Sequence, residues 1–204
     1  MITEQLEIER KFDVDPGFVL PHLAGLPGVA VVDPPEAHDL TAVYLDTADL
    51  RLVRARVTLR RRTGGPDEGW HLKLPAAGAR RELHVPLTEG DVPPEELRAA
   101  VEELLAGAAL APVVTLRTRR VVTALRDDGG RQLAELADDT VRATTLPAVP
   151  GGEVGERSWR EVEVELVSGG ESLLTAVGDR LVAAGARPSP RASKLATALG
   201  SRLA

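Results

Sequence analysis

The sequence predicts an α+β fold dominated by β-structure, in which antiparallel strands close into a barrel with helices flanking the outer wall. Three observations lead there. Several segments alternate with the period of two that a strand requires, as in QLEIERKFDV (5–14) and WREVEVEL (159–166). The polar faces of these segments are strongly charged, and single strands tend to carry one sign. Glu161, Glu163 and Glu165 share a face, as do Arg60 and Arg62, with Arg54 and Arg56 in the same parity. The opposite faces are apolar: Leu6 and Ile8, Val57 and Leu59, Trp70, Leu72 and Leu74, and Val162, Val164 and Leu166, with Arg10 and Arg61 as exceptions.

In chain order, residues 5–14 form the first strand, with Glu7, Glu9 and Lys11 on one side. A short helix is expected around Pro16–Leu26. Strands follow at Ala42–Leu45 and, after a turn at Asp46–Asp49, at Leu52–Arg62. Thr63–Gly69 is turn material before the strand Trp70–Leu74, and a turn around Pro75–Ala79 leads to Arg80–Leu87. Pro94–Ala106 reads as an amphipathic helix, with Pro near its first turn and acids early, where the helix dipole favours them. Strands Thr115–Leu125 and Gln132–Ala137 flank Arg126–Arg131, whose Asp127, Asp128, Gly129 and Gly130 mark a hairpin. Another strand starts near Thr140, Pro147–Gly155 is a surface loop, and Trp159–Leu166 alternates strictly. Glu171–Ala186 is a helix, broken by Pro188–Pro190. Neither a repeat nor a second domain is visible, and residues 1–204 read as one domain.

Like charges two residues apart on a strand repel, so each run needs an opposite charge or a ligand nearby. Charged faces recur on many strands and would together demand more solvent than one sheet face supplies. Turning the apolar faces out to the helices and the charged faces into a lumen resolves this, and antiparallel closure removes exposed edges. A lumen rich in Arg and Lys with clusters of carboxylates suits a metal-bound polyphosphate.

Composition narrows the chemistry. The 204 residues contain 25 basic and 31 acidic side chains, a net charge of −6, which argues against nonspecific nucleic-acid binding. Cysteine is absent, removing thiol catalysis, disulfides and Cys-ligated zinc. No apolar stretch approaches the roughly 20 residues that span a bilayer, and the charged N-terminus does not read as a signal peptide. A cytoplasmic setting without membrane attachment is expected. Only three basic residues are lysines, Lys11, Lys73 and Lys194, so a compact ammonium stands at these positions in a chain that otherwise uses arginine.

At Glu7-Ile8-Glu9-Arg10-Lys11 the sequence resembles the CYTH family, the triphosphate tunnel metalloenzymes, whose N-terminal signature is ExExK. Ordered matches follow. Tyr44-Leu45-Asp46-Thr47 resembles the family's Tyr-Phe-Asp-Thr segment, Leu59-Arg60-Arg61-Arg62 its Leu-Arg-x-Arg strand, and Trp70-His71-Leu72-Lys73 the strand with an inward lysine. Arg80-Arg81-Glu82 resembles Arg-x-Glu, and Arg117-Thr118-Arg119 the basic-x-Arg strand. Glu135 with Asp139 fits Glu-x-x-x-Asp, Glu161 to Leu166 fits Glu-x-Glu-x-Glu-Leu, and Ser193-Lys194 fits the C-terminal Ser-Lys. All three lysines fall on motif positions. Arg117 stands where many members have lysine, and His84 where an acid is often seen.

The resemblance implies an eight-stranded antiparallel tunnel that requires Mg²⁺ or Mn²⁺. Its substrates would be inorganic, thiamine or nucleoside triphosphates or longer polyphosphate, and a minority of members are class IV adenylyl cyclases. Lys11, Arg60, Arg62, Lys73, Arg80, Arg117 and Arg119 are the candidates for gripping phosphate oxygens, with Lys194 at the end of the tunnel. Glu7, Glu9, Glu135, Asp139, Glu161, Glu163 and Glu165 are candidate metal ligands or cation partners. Mg²⁺ takes few carboxylates, so Glu7, Glu9, Glu163 and Glu165 are preferred. Glu7, Glu9 and Lys11 form the catalytic core of this assignment. Glu82 is expected in the lumen, whereas Arg61, Arg81 and Arg120 have the wrong parity and should lie outside. Tyr44 and Trp70 read as packing residues, and the four histidines show no metal-ligand spacing. Few aromatics are available to stack on a base, which favours inorganic triphosphate or polyphosphate. The alternatives are a polyphosphate-binding module with little turnover, a cyclase, and a thiamine or nucleoside triphosphatase. Family members of this kind are often followed by a polyphosphate-associated helical CHAD domain, so the chain could be one domain of a longer CYTH–CHAD protein.

Overall fold

The computed structural model describes residues 2–87, 90–147 and 154–203. Its strands are β1 (Thr3–Glu7), β2 (Glu9–Val14), β3 (Val31–Val32), β4 (Glu36–Asp46), β5 (Thr58–Thr63), β6 (Gly69–Ala76), β7 (Ala79–Val85), β8 (Ala111–Arg126), β9 (Gln132–Thr145), β10 (Gly155–Leu166) and β11 (Arg187–Pro188). The helices are α1 (Arg51–Arg54), α2 (Glu95–Ala99), α3 (Glu102–Leu105), α4 (Glu171–Ala183) and α5 (Lys194–Leu199), the last running into a 3₁₀ turn at Gly200–Leu203. Among the described residues, no helix is long and apolar enough to cross a membrane.

The strands form one curled sheet in the order β1-β7-β6-β5-β4-β8-β9-β10-β2-β11, with β3 beside β8. Every pair is antiparallel. Counting β1 and β2 as one and setting aside the two-residue β3 and β11 leaves the eight long strands expected. The expected closure is not found: the sheet is an open half-barrel. The N-terminal strand breaks at Ile8, so that residues 3–7 pair with β7 and residues 9–14 pair with β10. The Ile8 carbonyl accepts from the Leu166 N–H. No ladder joins β7 to β10, which leaves a seam in the wall.

The two faces are sorted as the alternation predicts. Val162, Val164 and Phe12 turn outward and pack under Leu173, Leu174, Val177 and Leu181 of α4. Leu59, Trp70, Leu72 and Leu83 turn outward under Leu52, Leu97, Val101 and Leu105 of the short helices. Inside, the curl is divided. One end is apolar, where Leu195, Ala198 and Leu199 of α5 sit on Ala42, Tyr44, Val114, Leu116, Val141 and Ala143. The other end is charged.

Several element assignments change. Pro16–Leu26 is not helical: Arg160 takes the carbonyls of Pro16 and Phe18, and Arg180 those of His22 and Ala24, while Leu23 and Leu26 pack into the core. Leu52–Arg62 is a helical turn followed by a strand. The reason is Asp46, fully buried, whose carboxylate accepts from the backbone N–H groups of Thr47 (2.7 Å), Leu52 (2.9 Å) and Val53 (3.0 Å) and so starts α1. The helix expected over 94–106 is split at Ala100–Val101 into α2 and α3. The strands expected at 132–137 and from 140 are one, β9. Of the loop expected over 147–155, residues 148–153 lie outside the described residues.

Replacing Asp46 with alanine removes three charge-assisted bonds from buried N–H groups. The loss expected is about 2–4 kcal/mol, read as a lower urea midpoint with unchanged slope. Asp46→Asn retains part of the cap and should lose less.

Candidate active site

Register determines which charges meet on the inner face. Glu9 of β2, Glu165 of β10 and Glu135 of β9 stand directly opposite one another. Directly opposite side chains have Cβ atoms about 5 Å apart, and like charges there repel. Two residues further along, Lys11 stands opposite Glu163. Beyond that, Glu161, Asp139 and Arg120 lie across β10, β9 and β8. On the facing wall, Gln5, Glu82, Lys73 and Thr58 form one row and Tyr44, Arg60, His71 and His84 another.

These side chains surround a cavity of about 210 Å³, lined by seven carboxylates and seven cations. Lys73 Nζ donates to Glu7 Oε1 (2.6 Å) and lies 3.8 Å from Glu82. His71 bridges Glu82 Oε1 (2.7 Å) and the Asp67 carbonyl (3.0 Å), and burial lowers its pKa to about 3. Asp67 also pairs with Arg62. It sits in the β5–β6 turn that Gly64 permits: with φ at +79°, a Cβ there would meet the Asp39 carbonyl at 2.1 Å. Lys11 bonds Glu163 and, at 2.8 Å, Glu9. Burial alone would lower the Lys11 pKa, but Glu163 and Glu9 raise it. Arg120 grips Asp139 with two bonds (2.9 and 2.6 Å) and Glu163 with a third (2.8 Å).

Other groups are left with unmet demands. Glu7 Oε2, Arg60 Nε and Arg62 Nε are buried and without a hydrogen-bond partner among the described residues. Burial lowers the Arg62 pKa to about 9, and the neighbouring Arg60 and Arg120 charges add to that. Glu165 is raised by burial and then by Glu9, Glu82 and Glu135, against the pull of Lys73. Crowded cations invite an anion, and crowded carboxylates invite a cation. The Glu9–Glu165–Glu135 row, with Glu7 near it on the same cavity, offers the oxygen donors that a hard divalent ion such as Mg²⁺ or Mn²⁺ prefers, although its oxygens are not gathered as closely as those of Asp139, Glu161 and Glu163, which lie within 4.8 Å of one another.

Beyond the seam, Glu7, Glu9, Lys11 and Arg80 also line a wider space of about 760 Å³ with Arg10, Arg56 and Arg191. On another side Asp67, Arg120 and Glu135 border a space of about 350 Å³ with Asp33 and Glu36. One approach is thus rich in arginine and another in carboxylate.

The pattern of the CYTH domain matches residues 5–195. The chain belongs to the CYTH family. Uncharacterized proteins from two strains of Mycobacterium tuberculosis are each 41% identical to it over 210 residues, covering 98% of this chain but 41% of their own length. The chain thus spans less than half of these relatives. Its fold resembles that of a Bacillus halodurans protein provisionally described as an adenylate cyclase (TM-score 0.65, 18% identity, 95% and 97% of the two chains). It also resembles a Hippeastrum protein described in the same way and credited with a dominant triphosphatase activity (TM-score 0.52, 17% identity, 96% of each chain).

Most of the CYTH signature meets at the cavity: Glu7, Glu9, Lys11, Arg60, Arg62, Lys73, Arg80, Glu135, Glu163, Glu165 and Lys194 all line it, and Glu82 lies inside as expected. Two placements are corrected. Arg117 and Arg119 are exposed on the outer face, opposite Thr41 and Asp39, whereas Arg120 lines the cavity. The run Leu116–Arg120 offers arginine in both parities. The packing of Leu116 beneath α5 and the Arg120–Asp139 pairing select the even one. Asp139 and Glu161 are buried behind the cavity around Lys194 rather than on its surface. Tyr44, expected only to pack, also lines the cavity and accepts from Arg60 (3.2 Å). Its Tyr-x-Asp-Thr setting was the signal available. Nothing in the sequence marked Asp67; His71 shares the parity of Lys73, opposite that of Trp70, Leu72 and Leu74, and that was the signal available.

Burial raises the Glu7 carboxyl from 4.5 to about 7, with Lys73 opposing. In metal-free protein, a proton held in the fold and released on unfolding favours the fold below pH 4.5, and this contribution is lost as pH rises through 7. Thermal melts of the metal-free wild type should therefore fall more steeply than those of Glu7→Gln between about pH 5 and about pH 8.

Proposed function

We propose that the protein is a divalent-metal-dependent hydrolase of triphosphates, with inorganic triphosphate preferred. The observation that carries this reading is the Glu9–Glu165–Glu135 row facing the same small cavity as Arg60, Arg62, Arg120 and Lys73. With equal numbers of acids and bases lining it, the cavity cannot balance a polyphosphate anion unaided. A bound divalent ion supplies the missing charge and electrophilic activation of the anhydride. The chain's own groups do the rest. Arg60 and Arg62 hold phosphate oxygens and stabilise the charge spread over them in the transition state, while Lys73 adds a focused charge and Arg120, bonded to Asp139 and Glu163, keeps the neighbouring wall in place. Glu7 Oε2, unpartnered and on a carboxyl with a pKa of about 7, is suited to accept the proton of the attacking water. Lys11 holds Glu9 and Glu163 in place.

The lining supports an inorganic substrate. The central cavity of about 210 Å³ is lined almost wholly by charged and polar groups, and Tyr44 is its only aromatic lining residue among those described, which leaves little to stack on a base or ring. The greater length of the mycobacterial relatives supports a further domain, and we propose a CHAD domain as its partner. A cytoplasmic setting is proposed from the cysteine-free sequence.

The test is to incubate pure protein with Mg²⁺ or Mn²⁺ and, separately, inorganic triphosphate, ATP, thiamine triphosphate and long-chain polyphosphate. Orthophosphate release should be fastest from inorganic triphosphate and vanish on chelation. Arg60→Ala should lower kcat/KM by about 10²-fold or more, whereas Arg119→Ala, on the outer face, should leave it near wild type. Cyclic AMP from ATP would replace this reading with a lyase. Tight polyphosphate binding without turnover would replace it with a binding module.

A further inference from the structure

The inner face carries two carboxylate groups, and they differ in what neutralises them. Glu9, Glu165 and Glu135 have one cationic contact among them within ion-pair distance, Lys11 on Glu9, among the described residues. The second group is Asp139, Glu161 and Glu163, which present one oxygen each, all within 4.8 Å of one another. That spacing and burial suit a divalent ion. The centre, however, is already filled. Lys194 Nζ lies 2.9 Å from Asp139 Oδ2, 2.7 Å from Glu161 Oε1 and 2.8 Å from Glu163 Oε1.

We infer that Lys194 is the built-in cation of this second group, an ammonium held where a divalent ion would otherwise bind, so that metal is taken only on the Glu9–Glu165–Glu135 side. Charge supports it. Lys194, Arg120 and Lys11 supply three positive charges against the three carboxylates, and a divalent ion added there would have to expel one of them. Geometry supports it too. An ammonium offers three donors in a compact cone and meets three oxygens at once, which a planar guanidinium does not. This gives a reason for lysine here in a chain that uses arginine for most of its cations.

The side chain is also anchored. Lys194 opens α5, Ser193 Oγ accepts from the Ala196 N–H (3.1 Å), and Leu195, Ala198 and Leu199 fix the helix on the inner sheet. The ammonium therefore reaches the carboxylates from a rigid base. The location of the native metal rests on the function proposed above, whereas the lysine cage stands on its own distances.

Mn²⁺ titration of the purified chain, followed by calorimetry and electron paramagnetic resonance, tests this. Lys194→Met should bind one Mn²⁺ more than wild type and gain more thermal stability from Mn²⁺ than wild type does. Glu161→Gln should keep the wild-type Mn²⁺ affinity within about tenfold, whereas Glu165→Gln should lose more than that. The inference is overturned if folded Lys194→Met binds no additional ion, or if Glu161→Gln abolishes the wild-type site. Should Lys194→Met fold only in the presence of Mn²⁺, the cage is supported. Should it fold in neither condition, Glu161→Gln decides. A wild type that binds no Mn²⁺, beside a Lys194→Met that does, would sink the metal-dependent hydrolase while leaving the cage standing.

Discussion

Opposite charges brought face to face on the inside of a curled sheet are the constraint on which the rest of this protein depends. Buried ions are costly to remove from water, and their mutual attraction offsets that only when geometry is good and remaining lone pairs are met. The structure comes nearest to this at one end of the interior, where Lys194, Arg120 and Lys11 lie in ion-pair contact with Asp139, Glu161 and Glu163, although Glu161 Oε1 makes no well-directed hydrogen bond among the described residues. It leaves it unsatisfied at the other, where carboxylates stand side by side across three strands and arginines crowd one another. The paired end fixes positions, and the other end carries charge that the protein does not itself balance.

The charged part of the interior does not supply the folding energy, which comes from apolar burial on the outer faces and at the apolar end of the curl. Apolar residues of β2 and β10 are covered by α4, and those of β5 to β7 by α1, α2 and α3. The usual arrangement of a sheet, apolar within and polar without, is inverted here because helices can cover the outside and water and ions can occupy the inside. The short C-terminal helix α5 then fills the apolar end of the curl. It leaves a small charged cavity rather than an open channel, and it delivers Lys194 to the centre of three carboxylates.

Membership of the CYTH family and the open half-barrel are compatible. The break at Ile8 divides one long strand between two neighbours, and the seam it leaves lies beside Glu7 and Glu9, the first two residues of the signature. Both therefore face the central cavity and the arginine-rich space outside. The approach bordered by Asp33, Glu36 and Glu135 carries the opposite sign.

Strict alternation in a strand has one dominant physical meaning, so the sequence by itself determined the β class, the inward charged faces, and the inward placement of Glu7, Glu9, Lys11, Lys73, Glu163 and Glu165. The ordered motifs determined the family for the same reason: each pairs a residue type with a parity. Where a segment offered both parities, as at Arg117 to Arg120, alternation had no preference. The choice fell to the register with Asp139 and to the packing of Leu116. Local pattern also could not foresee that Asp46 would reach forward to cap Leu52 and Val53, or that Arg160 and Arg180 would take the carbonyls of 16–24 and keep that segment from coiling. The separation of six of the seven candidate acids into a crowded row and a lysine-paired group, with Glu7 held apart by Lys73, was likewise a tertiary decision. It depends on where a helix from the far end of the chain sets one ammonium, a relation between residues more than thirty positions apart that no local spacing encodes.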